Sequence, residues 1–264
     1  MLPLYDSHAH YNDEKFDSLE GGASALLSSL HEEGVAFVCN AATSIPSCKE
    51  VLALAEKFDF CYCALGIHPE DCGKGDGLER DILTLQSLAA KDKVVAIGEI
   101  GLDYYWPENP SRETQKAYFE AQLGVAEQMG LPVVIHDRDA HGDVFDILAR
   151  YPQVIAILHS YSGSAEMARQ YLKNPNRYIS FSGVLTFKNA VQTVETAKIV
   201  PLDRILSETD CPYLAPVPYR GKMNHSGYME KTVEKLAEIK GLSPERMAEQ
   251  LAENTKRVFG LQNT

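Results

Sequence analysis

Short apolar runs alternate with longer amphipathic stretches from one end of the chain to the other. The runs fall at residues 5–10, 35–40, 61–66, 94–99, 133–136, 154–159, 178–182 and 204–210. Apolar segments of that length, bounded by polar residues or glycine, suit strands buried on both faces. Between them, helical spacing predicts helices at 23–33, 46–57, 78–89, 111–129, 140–150, 165–172 and 189–198, with two more at 227–239 and 244–259. Their ends carry local signals. Ser111 and Ser243 can cap free N–H groups, Pro46 and Pro244 stand in a first turn where a missing N–H costs nothing, and Gly34 and Gly130 stop a helix.

Eight strand–helix units in 264 residues predict an α/β fold, a (β/α)8 TIM barrel spanning residues 1–264 as a single domain. An open, doubly wound sheet usually places a glycine-rich loop after its first strand. Here Asp6-Ser7-His8-Ala9-His10 occupies that place, which favours the closed barrel.

Composition narrows the function. The chain is 45% hydrophobic and 23% charged, enough to fill a barrel and its shell. Its start has neither the basic nor the apolar segment of a signal peptide, and no apolar run nears the roughly 18 residues of a membrane span. A cytoplasmic protein without a membrane partner is expected. The net charge of −12 argues against a protein that coats DNA regardless of sequence. Six cysteines form no CxxC pair and read as small, reduced core residues.

The chemistry is positional. His8 and His10 end the first predicted strand, Glu99 the fourth, His136 the fifth, His159 the sixth and Asp210 the eighth. The C-terminal strand ends of a barrel share one mouth, where catalytic residues gather. His8 and His10 lie two apart on a strand and so point the same way. A lone histidine in such a place is most often a hydrogen-bonded core residue. Two at strand spacing, joined by two more histidines and two carboxylates on other strands, instead read as ligands for divalent cations. Glu99 ends an apolar run where a carboxylate is costly unless paired or metal-bound, and its two oxygens could bridge two ions. Asp210 can bind a metal and also position or deprotonate a water, so Asp210 and Glu99 are the expected catalytic residues. Glu208, two residues before Asp210 and expected on the same face, reads either as an ion-paired carboxylate or as a residue steering a histidine. His68 ends the third strand and is expected to face substrate or support a ligand. His31, His141 and His225 fall in helices or outer loops and are expected to be solvated.

A mouth with four neutral histidines, two carboxylates and two divalent ions would be cationic on an acidic protein. Arg138, Lys188, and Arg220 with Lys222 follow strands five, seven and eight and could grip phosphates, although each taken singly reads as solvated charge. Tyr104, Tyr105, Trp106 and Tyr161 follow strands four and six and could stack on bases or pack a lid.

These segments resemble a known family. Asp6-Ser7-His8-Ala9-His10, Gly66-Ile67-His68-Pro69, Gly98-Glu99-Ile100-Gly101-Leu102-Asp103-Tyr104, Ile135-His136, His159-Ser160-Tyr161-Ser162-Gly163, Glu208-Thr209-Asp210-Cys211-Pro212-Tyr213-Leu214 and Arg220-Gly221-Lys222 look like those of TatD-type metal-dependent deoxyribonucleases, in order, over residues 6–261. The resemblance implies a barrel of the metallo-dependent, amidohydrolase-like class. It also implies a phosphodiester hydrolase working on DNA, with 3′–5′ exonuclease action on single-stranded ends. Under it, His8, His10 and Asp210 hold one ion, His136 and His159 a second, and Glu99 bridges them. It suggests Mg2+, while histidine ligation by softness would also suit Zn2+, Mn2+, Fe2+ or Ni2+. Two positions depart from the family: Asn224 is followed by His225 and Ser226, and Asp137 stands where a small residue is common. Neither touches a ligand; both bear on substrate preference.

Two rivals remain. One is a related hydrolase acting on a lactone, amide or small phosphoester; such barrels often bridge their metals with a carboxylated lysine on strand four, where this chain has Glu99. The other is a non-catalytic binding protein on a retired barrel, which a complete ligand set disfavours.

Overall fold

The computed structural model describes residues 3–261. Eight parallel strands form one sheet in sequential order. They are β1 (Leu4–Ala9), β2 (Val35–Ala41), β3 (Cys61–Leu65), β4 (Val94–Asp103), β5 (Val133–Arg138), β6 (Ala156–Leu158), β7 (Arg177–Phe181) and β8 (Ile205–Ser207). The helices between them are α1 (Gly22–Glu32), α2 (Ile45–Ala55), α3 (Leu78–Ala89), α4 (Arg112–Met129), α5 (His141–Ala149), α6 (Ala165–Tyr171) and α7 (Val191–Ile199); α8 (Glu230–Lys240) and α9 (Pro244–Val258) follow β8. This is the (β/α)8 barrel, and the alternation of apolar runs with helical spacing is its cause.

Helix ends follow the local chemistry. Ser111 accepts from Thr114 N–H and Ser243 from Arg246 N–H, each satisfying an otherwise free donor. Two apolar clusters hold the layers together. One takes Phe37, Ala64, Ala96, Val134, Ile157, Tyr178 and Leu206, one from each strand from β2 to β8, and fills the barrel, with Phe259 joining it after α9. The larger one packs helices against the sheet. All six cysteines are free and buried.

The seam between β1 and β8 closes by individual bonds. Asp210 N–H donates to the His8 carbonyl at 3.0 Å, His10 N–H to Cys211 at 2.8 Å, and Ser7 Oγ to Ser207 at 2.9 Å. Behind them Asp6, fully buried, accepts from Thr209 N–H and Oγ1 and from Ser226 Oγ. These bonds place His8, His10 and Asp210 side by side.

Two strands differ from expectation in ways that shape the site. β4 does not end at Glu99 but continues to Asp103, buried throughout. Its pairing with β5 shifts by one residue between Ile97 and Ile100, a bulge that re-aims the side chains within it, Glu99 among them. Gly101 allows the strand to continue. Its φ is +144°, and a Cβ there would land on the His136 carbonyl oxygen. β8, in contrast, stops at Ser207, three residues before Asp210, which turns into the left-handed region at φ +56°. Glu208 and Asp210 therefore do not share a strand face. Among the described residues no helix is long and apolar enough to cross a membrane.

Candidate metal centre

Five imidazoles and two carboxylates meet at the C-terminal mouth. Glu99, 3% exposed, is the hub. Its Oε2 lies 3.3 Å from His8 Nε2 and 3.5 Å from His10 Nε2. Its Oε1 lies 2.8 Å from His136 Nδ1, 3.1 Å from His159 Nε2 and 3.7 Å from His68 Nε2. Asp210 Oδ1 faces His10 Nε2 at 3.4 Å and His8 Nε2 at 3.6 Å. Ligand atoms within 4.8 Å of one another form three overlapping groups: His8, His10 and Asp210; His8, Glu99 and His159; and His68, Glu99 and His136.

Outer hydrogen bonds set which nitrogen faces inward in four of the five rings; His8 Nδ1, turned away from the centre, has no hydrogen-bond partner among the described residues. His10 Nδ1 lies 3.0 Å from the Ala41 carbonyl, which can only accept, so the proton belongs on Nδ1 and the Nε2 lone pair turns to the centre. His159 Nδ1 meets Glu208 Oε1 at 2.9 Å with the same result. His136 is reversed in name but not in effect: Nε2 meets Asp103 Oδ2 at 2.9 Å, leaving the Nδ1 lone pair toward Glu99. A carboxylate or carbonyl behind a histidine in this way orients it as a ligand. His68 is the exception. Its Nδ1 accepts from Glu70 N–H, so the proton sits on Nε2, facing Glu99. His68 presents a donor where His10, His136 and His159 present lone pairs.

The donor set fits a divalent cation. His8 and His10 aim Nε2 atoms at each other across 3.0 Å with carboxylate oxygens on both sides. One hydrogen between them can serve one contact, whereas a cation serves all of them. Nitrogen and oxygen donors without thiolate suit borderline or hard divalent ions.

Electrostatics reflect the same crowding. Burial pushes Glu99 up, but His159, His8 and His68 outweigh it and hold the carboxyl well below its ordinary range. Burial opposes charge on His10, yet the Asp210 and Glu99 carboxylates at its Nε2 lift it to about 10, so they favour a positive charge there that a proton or a metal ion can supply. Burial and the neighbouring His136 drive His68 down to about 3. Burial lifts Asp6 to about 7 against its bonds from Thr209 and Ser226.

A cleft opens over the cluster in two lobes of about 590 and 560 Å3, which meet at His136, Arg138, His159, Asp210 and Tyr213. The first lobe reaches Asp13, Glu70 and Asp71; the second reaches Asp137, Ser160 and Leu214. Its rim holds the three aromatic residues found among the exposed large hydrophobic side chains: Tyr105, Trp106 and Tyr213. The Arg138 guanidinium lies 4.2 Å from the Tyr105 ring and 5.9 Å from Trp106. Tyr213 is steadied by its hydroxyl on Asp13 and by Lys15 over its ring.

All six residues expected as ligands lie in this cluster. His68 faces it too, and Glu208 supports His159. Arg138 lines both lobes, while Lys188 and Arg220 line neither. Tyr104 is engaged elsewhere, with its hydroxyl on Asp143 and Arg112 over its ring; Tyr161 is buried with its hydroxyl on the Ser164 carbonyl. The three outer histidines are not simply solvated: His31 stacks on Phe60 at 4.1 Å with Nδ1 2.9 Å from the Val35 carbonyl. His141 pairs with Asp137 at 2.9 Å, and His225 is partly buried against Tyr228. Asp103 escaped the sequence reading, although the apolar residues Ile100 and Leu102 resume after Glu99 and signal a longer strand. Asp6 escaped as well; only its place two residues before His8 could have drawn notice.

Known proteins match this chain over nearly its whole length. The family model described as "TatD related DNase" matches residues 5–260. The uncharacterized metal-dependent hydrolase YabD of Bacillus subtilis (strain 168) is 40% identical over 258 residues, covering 97% of this chain and 98% of that one. The uncharacterized metal-dependent hydrolase YcfH of Escherichia coli (strain K12) is 36% identical, covering 97% of this chain and 95% of its own. Among solved structures, YJJV, a TatD homolog from Escherichia coli K12, superposes with a TM-score of 0.89 at 28% identity, covering 99% of each chain.

Proposed function

The chain belongs to the TatD-related DNase family and is a metal-dependent hydrolase, and on that premise we propose that it cleaves phosphodiester bonds of DNA with two divalent ions bridged by Glu99. The observation that carries this reading is the division of Glu99: Oε2 faces His8 and His10, and Oε1 faces His136 and His159. His8, His10 and Asp210 would hold one ion, His136 and His159 the other. Divalent ions in these positions would supply positive charge for a phosphoryl group and make a nearby water more acidic.

The remaining work falls to the protein. Asp210 lines both lobes, so it can orient a water entering from either and take its proton. His68 offers an Nε2–H beside the ligands and can donate to a phosphoryl oxygen, a role open to a neutral donor and closed to a lone pair. Arg138, at the junction of the lobes, meets the phosphate charge while its stacking fixes the direction of its fork. Tyr105, Trp106 and Tyr213 offer ring faces for unpaired bases.

Chelation tests the reading. Protein stripped with EDTA is expected to lose hydrolysis of bis-p-nitrophenyl phosphate and single-stranded DNA, and Mg2+ or Mn2+ to restore both. Turnover of a lactone panel without turnover of either phosphodiester would overturn it in favour of the sister hydrolases.

A further inference from the structure

Residues 183–194 and 211–229 contain no aspartate or glutamate, in a chain that has 37 of them and a net charge of −12. They carry Lys188, Arg220 and Lys222, all exposed. The two segments follow β7 and β8 and pack as one ridge. Val217 N–H donates to Thr186 Oγ1 at 2.8 Å. A Cβ on Gly183 would strike the Leu214 carbonyl. The Arg220 guanidinium sits 3.8 Å above the Phe187 ring, next to Lys188, and Lys222 Nζ lies 5.7 Å from the Tyr219 ring. Tyr219 in turn stacks on Tyr228 at 3.8 Å, which braces the ridge.

The ridge adjoins the second lobe, because Val184 and Leu214, one from each segment, line that lobe. Its cations resemble Arg112 and Arg138, which lie over aromatic rings, rather than the surface cations held in ion pairs. Lys116, Arg150, Lys198, Lys231, Lys235 and Arg246 each sit on a carboxylate. Among the described residues, Lys188, Arg220 and Lys222 have none within ion-pair distance, and two of them are held near aromatic rings instead. Both lobes carry carboxylates, Asp13, Glu70 and Asp71 on the first and Asp137 and Asp139 on the second, whereas the ridge carries none.

We propose that this ridge is a phosphate-binding track, outside the cleft, for the body of a single-stranded polynucleotide whose scissile bond lies at the metal cluster. The proposal rests on the phosphodiesterase reading above. A strand crossing the second lobe passes Arg138 and leaves over Val184 and Leu214 onto the ridge, where no carboxylate opposes its phosphates. Single strands are favoured over duplex because Tyr105 and Tyr213 on the second lobe can stack only on unpaired bases.

The test compares kcat and KM for dT12 with those for the dinucleotide TpT, which is too short to leave the cleft, between 50 and 200 mM NaCl. In the metal-loaded wild type, the salt slope of log(kcat/KM) for dT12 is expected to exceed that for TpT by about 2, as three phosphate contacts on a single strand require. Combining Lys188→Gln, Arg220→Gln and Lys222→Gln is expected to raise KM for dT12 on the order of tenfold or more, with a smaller change for TpT. Equal slopes in the wild type, or equal losses on both substrates in the variant, would overturn the track. The wild-type slopes decide the matter even if the variant does not fold. Cleavage of dT12 with no excess slope removes the ridge and leaves the phosphodiesterase reading standing. Failure to cleave either oligonucleotide, with turnover of a lactone, removes both.

Discussion

The two ends of the barrel bury charge in opposite ways. At the N-terminal end, Arg177 opens β7 with 2% exposure. Its guanidinium donates to the carbonyls of Val154, Leu148 and Tyr151, so its donors end on backbone oxygens. At the mouth, carboxylates and imidazoles turn lone pairs toward one another, and a hydrogen bond behind His10, His136 and His159 keeps those three rings so oriented. Backbone-satisfied charge fixes a structure. Charge that converges on a common centre is a place for a cation. Burial alone separates neither case from the other; the direction of the lone pairs does.

This contrast can be broken in several ways. Glu99→Gln removes the one group that faces both sets of histidines. It is expected to lower kcat/KM by roughly 10^3-fold or more, about 4 kcal/mol of transition-state stabilisation, while the protein stays folded. Metal analysis and circular dichroism on the purified variant check both halves. Arg177→Met should do the reverse. It leaves buried carbonyls without donors and should cost about 3 kcal/mol in urea unfolding, while activity per folded molecule stays within about twofold of the wild type. Loss of metal from that variant would show that the two ends are not independent. Glu208→Gln sharpens the comparison from within the mouth. It weakens the support behind His159 without removing a ligand, so metal affinity should fall about 10- to 100-fold and excess metal should rescue turnover. A defect that no metal concentration repairs would give Glu208 a more direct part.

Much of this was legible in the chain. The alternation of apolar runs with helical spacing carried the barrel, and the polar residues that end those runs carried the candidate ligands, because a strand end is both buried and open to the mouth. His8 and His10 followed from a period of two. The same rule failed after β8: that strand stops at Ser207, and Glu208 and Asp210 reach different histidines. It failed in β4 as well, where the first charged residue looked like an end. The bulge and Gly101 let the strand run on to Asp103, whose carboxylate orients His136. Lys188 and Arg220 were read as grips near the metals, but only the packing of two loops, set by Thr186 and Phe187, shows that they stand beside the cleft rather than in it. Contacts of that kind join segments far apart in sequence and leave no local pattern.

The central claim is that Glu99 joins two ions in one site. The most direct measurement is electron paramagnetic resonance of the chelator-stripped protein titrated with Mn2+. Two Mn2+ per chain with the multiline signal of an exchange-coupled pair, replaced in Glu99→Gln by an uncoupled signal or by weak binding, is the predicted result. Saturation at one Mn2+ per chain, or two ions that never couple in the wild type, would contradict it.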